Sequence, residues 1–331
     1  MERLVPLPGV SWAQRALISG DGRRAYVGEE LQSGSRLGVV DTQSGAVLAE
    51  VQTSPEFWSG PKTLAPDGRS VYLVTATALN VFDTATNTVT AHVPLPDQPR
   101  PDGWQAGSPY SLAVSPDGTT VYVGQGGPYS PAPPNPSLPG RLLTFSAASR
   151  AFTGQTPLPT SNPRDLVVRP GGATGYLSSP EGLIRLDLTR AHPAVVRTIT
   201  SPGFIDDLAL APNGSTVYAI TKPEGRIQVV DLTTDTLAAT IDLNTGFRQI
   251  AGLAVNPRGN RLYVLIQTDL PSPTVAAYST ATNRPVPKED FAEFDLEHGA
   301  TLTVGPDGHT FYVTGTNYND NPGTFLQIVS F

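Results

Sequence analysis

The sequence predicts an all-β protein, a seven-bladed β-propeller of four-stranded antiparallel blades, and three observations carry that prediction. Glycine followed four residues later by tyrosine recurs at Gly22/Tyr26, Gly68/Tyr72, Gly118/Tyr122, Gly172/Tyr176, Gly214/Tyr218, Gly259/Tyr263 and Gly308/Tyr312. Successive tyrosines lie 42 to 54 residues apart, and the interval from Tyr312 through the chain ends back to Tyr26 is of the same size. Between these marks the apolar residues come in short runs without a helical period. A period of this length means repeated units that bury their apolar faces only against their neighbours. The seven units use up residues 1–331 as a single domain.

Within a unit, a first strand such as Ala113-Val114 leads into Ser115-Pro116-Asp117-Gly118, and Thr120-Val121-Tyr122-Val123 returns. Proline presets φ for the second position of a type I turn, and glycine supplies the left-handed residue that lets the return strand pair. Pro-Asp-Gly recurs at 66–68 and 306–308, with Pro212-Asn213-Gly214 and Pro257-Arg258-Gly259 as variants. A third strand then ends on a short polar residue: Asp41, Asp83, Ser146, Asp187, Asp231, Ser279 or Ser330. Thr84-Ala85-Thr86-Asn87 and its analogues follow, with side chains that hydrogen-bond their own backbone in a turn. A fourth strand such as 89–93 completes the unit. The last unit has no fourth strand of its own, because its third, 325–330, reaches the end of the sequence. Leu4-Val5-Pro6-Leu7 resembles the fourth-strand segment Val93-Pro94-Leu95-Pro96. The N-terminal strand is therefore expected to complete the last blade and close the ring.

The segment Ala-Val-Ser-Pro-Asp-Gly-Thr-Thr-Val-Tyr-Val at 113–123, with segments of the type Phe-Asp-Thr-Ala-Thr-Asn in the strands that follow, resembles the YVTN repeat family of propellers. The resemblance covers essentially the whole chain, and blade 4 departs most, with Arg169-Pro170-Gly171-Gly172 and Gly175-Tyr176. It implies a shape with many uses: surface-layer proteins, exported binding proteins, subunits of amine dehydrogenases, and relatives of propeller lactonases and lyases. A shared fold does not choose among them.

Composition narrows the field. With 33 Pro and 32 Gly the chain is rich in turns, while 39% apolar residues allow a substantial core. A formal charge of −7 and the absence of any Lys/Arg run argue against nucleic acid as the main partner. No stretch approaches the roughly 20 apolar residues that span a bilayer, and the first residues lack a signal peptide's apolar core. Because many members of the resembled family are exported, the sequence is read as a mature exported domain in preference to a cytoplasmic one. The absence of cysteine excludes disulfides, thiolate metal sites and cysteine nucleophiles.

Antiparallel alternation places the Pro-Asp-Gly and Thr-Ala-Thr-Asn turns at one end of the blades. At the other end the connections vary widely, over 94–110, 125–140, 266–274, 284–299 and 315–323. Variable loops on a rigid scaffold are where binding usually resides. The segments leading into the innermost strands contain Trp12 and Arg15, Phe57 and Trp58, Trp104 and Tyr110, Arg164 and Asp165, Asp206 and Asp207, Phe247 and Arg248, and Glu297 and His298. From these, Arg15, Trp58, Trp104, Tyr110, Arg164, Asp165, Asp207, Arg248 and His298 are the candidate ligand-binding residues, set around the mouth of the central channel. An aromatic rim with a few charges suits a small organic molecule, a sugar, a peptide or a protein partner. The same aromatics also suit a plain role in capping the inter-blade core.

Asp206-Asp207 is the candidate for acidic chemistry, since two carboxylates facing one channel hold a proton or a cation. Adjacent strand residues point to opposite faces, however, which favours one of them inside and an ion pair of Asp207 or Asp165 with Arg15 or Arg164. Among the histidines, His92, His192 and His309 occupy ordinary structural positions, and His298 beside Glu297 alone suits a general base. Neither a nucleophile elbow nor a phosphate-binding glycine loop is present: Gly124-Gln125-Gly126-Gly127 leads into the proline-rich segment 128–136, read as a stiff loop over the channel mouth. Asn317-Tyr318-Asn319-Asp320-Asn321 is rich in oxygen ligands but lacks calcium-loop spacing. No metal set or cofactor is assigned. A binding or scaffold propeller is the leading function class. The alternative is a lyase, lactonase or cyclase that uses His298, Asp206 or Asp207 and Arg164 for acid–base and electrostatic work.

Overall fold

Pro116, Asp117 and Gly118 turn the chain between the first two strands of the third repeat in the way their chemistry dictates. The Gly118 amide donates to the Ser115 carbonyl at 2.8 Å, and Gly118 takes φ +73°. Asp117 Oδ1 accepts from the Ser115 hydroxyl and the Thr119 amide, so its side chain ties together the two ends of the turn. At the far end of the third strand of the second repeat, Asp83 Oδ1 accepts from the amides of Ala85 and Thr86 and from the Thr86 hydroxyl. Asn87 then takes φ +54°, the left-handed conformation that Asn tolerates better than most residues.

The computed structural model describes residues 2–55, 59–222, 225–243, 249–267, 272–286, 292–318 and 322–330. Among these residues there are seven antiparallel sheets and no helix, the seven-bladed β-propeller that the repeat predicts. In blade 1, Val10–Ala13 and Leu17–Ile18 both pair with Arg24–Leu31, followed by Gly34–Asp41 and Val47–Ser54. Blade 2 runs Ser59–Leu64, Ser70–Thr75, Ala78–Asp83 and Thr88–Pro94, and blade 3 runs Pro109–Val114, Thr120–Gln125, Arg141–Ser146 and Ala151–Pro157. Blade 4 comprises Leu166–Val168, Thr174–Ser179, Gly182–Asp187 and Ala194–Thr200, and blade 5 Phe204–Leu210, Thr216–Lys222, Arg226–Asp231 and Thr236–Asp242. Blade 6 holds Gln249–Val255, Arg261–Gln267, Thr274–Ser279 and the short Ala292–Glu293. In blade 7, His298–Val304, Thr310–Asn317 and Gly323–Ser330 are joined by Glu2–Leu7.

The chain divides into two compact units, Met1–Ser59 with Ala209–Ile220 and Glu224–Phe331, and Gly60–Leu208 with Thr221–Pro223. In the second unit, one core is built from Tyr72, Val74, Leu79 and Val81 of blade 2 with Val121, Val123, Leu143 and Phe145 of blade 3. A second is built from Tyr122 and Leu142 of blade 3 with Leu177, Ile184 and Leu186 of blade 4. Neighbours in sequence thus enter opposite cores, which is why these strands read as continuous apolar runs. The Pro-Asp-Gly turns pack against one another as well. A Cβ on Gly118 would lie 3.6 Å from Pro66 Cδ, and one on Gly172 equally close to Pro116 Cδ.

In the first unit, Glu2–Leu7 pairs antiparallel with Gly323–Ser330, setting Val5 opposite Leu326 and Leu7 opposite Thr324. Val5 and Leu7 are 3% exposed and join Tyr312, Leu326 and Ile328 in one core with Ala25 and Val27 of blade 1. Thr324 Oγ1 donates to the Val10 carbonyl at 2.8 Å, and Gln327 Nε2 to Glu2 Oε1 at 2.6 Å. The N-terminal strand completes the last blade as the sequence predicts.

Removing residues 1–10 is expected to cost about 3–6 kcal/mol through Val5 and Leu7 alone, at roughly 1.5–3 kcal/mol per buried aliphatic side chain. Guanidinium denaturation of the truncated and full chains checks this, and equal midpoints would refute it. A second expectation concerns acid. Hydrogen bonds from the Ser44 amide hold Asp41 below its ordinary carboxyl pKa, those from the Thr86 amide do so for Asp83, and the Thr189 and Thr233 hydroxyls do so for Asp187 and Asp231. A carboxyl with a lowered folded-state pKa contributes stability above its unfolded value of about 3.9 and loses it as pH falls through the folded value. The denaturation midpoint should therefore drop below about pH 4. Replacing all four aspartates by asparagine should make that drop shallower, and an equally steep drop in the variant would rule these turns out as its cause.

Candidate functional site

Three side chains from successive blades of the second unit meet where the innermost strands begin. The main chain fixes the central one: the Arg164 amide donates to the Ser178 carbonyl at 3.0 Å, and the Asp165 amide to Ser178 Oγ at 2.9 Å. From this anchor the Arg164 guanidinium carbon lies over the ring of Tyr110, 5.4 Å from its centroid, and over that of Phe204, at 5.3 Å. Each such contact contributes about 0.5–1 kcal/mol in water and about 2 when desolvated. Nε of Arg164 is buried with no hydrogen-bond partner, and no carboxylate among the described residues forms an ion pair with this side chain. Among the described residues, Arg164 is thus a half-buried cation oriented by two aromatic faces and without a counter-ion.

Beside it, Asp165 uses both carboxylate oxygens on main-chain amides, Oδ1 on Leu166 at 2.8 Å and Oδ2 on Leu208 at 2.9 Å. Asp207 Oδ1 accepts from the same Leu208 amide at 3.0 Å, so two carboxylates converge on one N–H. Asp206 turns the other way and pairs with Lys222 Nζ at 2.5 Å, as strand alternation requires. The acidic pair that forms is therefore Asp165 with Asp207, not Asp206 with Asp207. Counted back from Pro116, Pro170 and Pro212, Tyr110, Arg164 and Asp206 occupy one repeat position, and Ser111, Asp165 and Asp207 the next. Phe204 lies two residues ahead of that column. Sequence reasoning therefore passed over Phe204, along with Ser178, whose hydroxyl gives no signal in the sequence that it will anchor Asp165.

The remaining candidates fall elsewhere. Trp104 is half-buried, with its amide on the Pro101 carbonyl and its own carbonyl accepting from Arg100 Nε. Arg15 and His298 belong to the first unit, where Arg15 is half-buried and His298 is exposed at the start of blade 7, opposite Thr316. Glu297, next to His298, spends its carboxylate on the Tyr318 amide and its own amide on Asn317 Oδ1. Trp12 is exposed at 39% and pairs across from Glu30. Phe57, Trp58, Phe247, Arg248 and Asn319 to Asn321 lie outside the described residues. His92 is bonded to Asn80 and His192 packs on Gly154, the structural roles expected of them. Among the described residues no group of three or more His, Asp or Glu side chains is set to hold a metal ion.

The proline-rich segment is tied to the loop before blade 3. Gln105 and Tyr129 pair main chain to main chain, and the Tyr129 hydroxyl donates to Gln105 Oε1. Beneath them Arg141 is buried, donating to Gln125, Gln155 and the carbonyls of Pro96 and Asp97, and that burial lowers its pKa. A groove of about 420 Å³ runs past it between Pro99, Pro128 and Leu138. In the first unit, a cleft of about 530 Å³ opens at the turn end between Arg3, Asp21, Asp307 and Ser330.

No protein-family model matches the chain, and no curated protein sequence matches it.

Replacing Asp165 by alanine should cost about 1–3 kcal/mol, because the Leu166 and Leu208 amides lose a charged acceptor in a part-buried setting. Asp206→Ala should cost under about 1 kcal/mol, since its partner Lys222 is half exposed and the pair is screened. Urea denaturation of the two variants tests the ordering, which an Asp206 effect equal to or larger than that of Asp165 would reverse.

Proposed function

We propose that this β-propeller is a recognition module of the YVTN-repeat kind, binding a small organic ligand where the inner strands of blades 3, 4 and 5 begin, against Tyr110, Arg164, Asp165, Phe204 and Asp207. One observation carries the reading: the Arg164 cation is held in place by two aromatic rings and has no ion-pair partner among the described residues. Burying part of a charge without a partner lowers stability, and a fold that keeps such a group pre-oriented keeps binding capacity in reserve. Aromatic faces supply contact area at low entropy cost, and the paired carboxylates of Asp165 and Asp207 supply acceptors beside them. Binding is favoured over catalysis because the two carboxylates that the lyase or lactonase reading would use are engaged otherwise, Asp206 by Lys222 and Asp207 by the Leu208 amide.

A thermal-shift screen of a metabolite library, followed by calorimetry on the hits, tests this. Hits are expected to lose at least tenfold in affinity in both Tyr110→Ala and Phe204→Ala, with circular dichroism unchanged. Full affinity retained in both variants, or a library without a hit, overturns the reading.

A further inference from the structure

The recognition reading leaves open what the ligand carries to Arg164, and the geometry narrows it. The guanidinium brings a positive charge to the site. Its orientation is set by main-chain bonds to Ser178 on one side of the residue and by two ring faces on the other. Ring faces attract the cation through their quadrupoles but accept no ordinary hydrogen bond, so the in-plane N–H edge gains nothing from them. That edge includes Nε, which is buried and unbonded. Nε itself is covered, so an outside carboxylate meets the half-buried side chain at its two Nη–H groups, a fork that also receives both oxygens through two parallel bonds. The side chain is half-buried, and an ion pair strengthens as the local dielectric falls.

Asp165, the next residue along the chain from Arg164, shares the Leu208 amide with Asp207, and these carboxylates bear on which anion is tolerated. Two negative charges nearby disfavour a dianion such as phosphate more than a monoanion. We propose that Arg164 is the receptor for the carboxylate of a small monoanionic organic acid, with Tyr110 and Phe204 lining its position. The proposal rests on the recognition reading above.

Calorimetric titration with benzoate, benzamide and inorganic phosphate tests it, because benzoate and benzamide share shape but not charge. Benzoate should bind, weaken as salt is raised, and outcompete phosphate, while benzamide should bind at least tenfold more weakly. Arg164→Gln should lower benzoate affinity at least tenfold. Arg164→Lys, which keeps the charge but loses the fork, should fall between, and it serves as the readout if the glutamine variant does not fold. The absence of benzoate binding up to its solubility, equal affinity for benzamide, or a preference for phosphate overturns the carboxylate assignment. If benzamide binds as well as benzoate and Tyr110→Ala removes both, the recognition site stands and the anion assignment alone falls. If benzoate binds but ignores changes at Arg164, Tyr110 and Phe204 together, both fall.

Discussion

In the second strand of blade 3, Val121 and Val123 turn toward blade 2 while Tyr122 turns toward blade 4, and the third strand divides Leu143 and Phe145 from Leu142 in the same way. A four-stranded sheet with both faces apolar has no stable existence in water alone, so each blade is stable only between two neighbours. Blade 7 shows the same requirement in another form. Its outer strand is Glu2–Leu7, taken from the far end of the chain, and Val5 and Leu7 close a core shared with blade 1.

The turns obey a second form of that constraint. Proline in Pro-Asp-Gly presets the bend of its own hairpin, but its ring also rests on the glycine of the next blade, as Pro66 does on Gly118 and Pro116 on Gly172. Glycine is needed there for its left-handed backbone, since a Cβ would meet the neighbouring ring only at ordinary van der Waals distance. Blade 1 keeps the glycine but has Gly20 in the proline position, which shows that the bend itself tolerates other residues.

Uniform turns at one end free the other end to vary, and several of the polar side chains gathered there are held by backbone groups. Asp165 ties the first strand of blade 4 to the Leu208 amide, and Ser178 holds both Arg164 and Asp165 in place. Arg164 is left with aromatic neighbours and a buried Nε that has no acceptor among the described residues, a local shortfall in polar satisfaction. The proline-rich loop of blade 3 is tied in by an equally local device, since buried Arg141 and Gln98 bond to carbonyls and an amide of the flanking loops.

The amino-acid sequence alone determined the fold class, the four strands of each repeat, the turn chemistry at Gly118 and Asn87, and the donation of the N-terminal strand to the last blade. These are consequences of local backbone preference and of a pattern repeated seven times, so each copy supports the reading of the others. It also brought Tyr110, Arg164, Asp165 and Asp207 to notice as residues at the start of inner strands. Only the tertiary structure decided that Phe204, two residues out of register, joins Tyr110 over the guanidinium, and that Asp207 meets Asp165 while Asp206 meets Lys222. Side-chain direction at a strand's first residues depends on the packing of adjacent blades, whose contacts bridge some 40 to 50 residues of chain and leave no local signature.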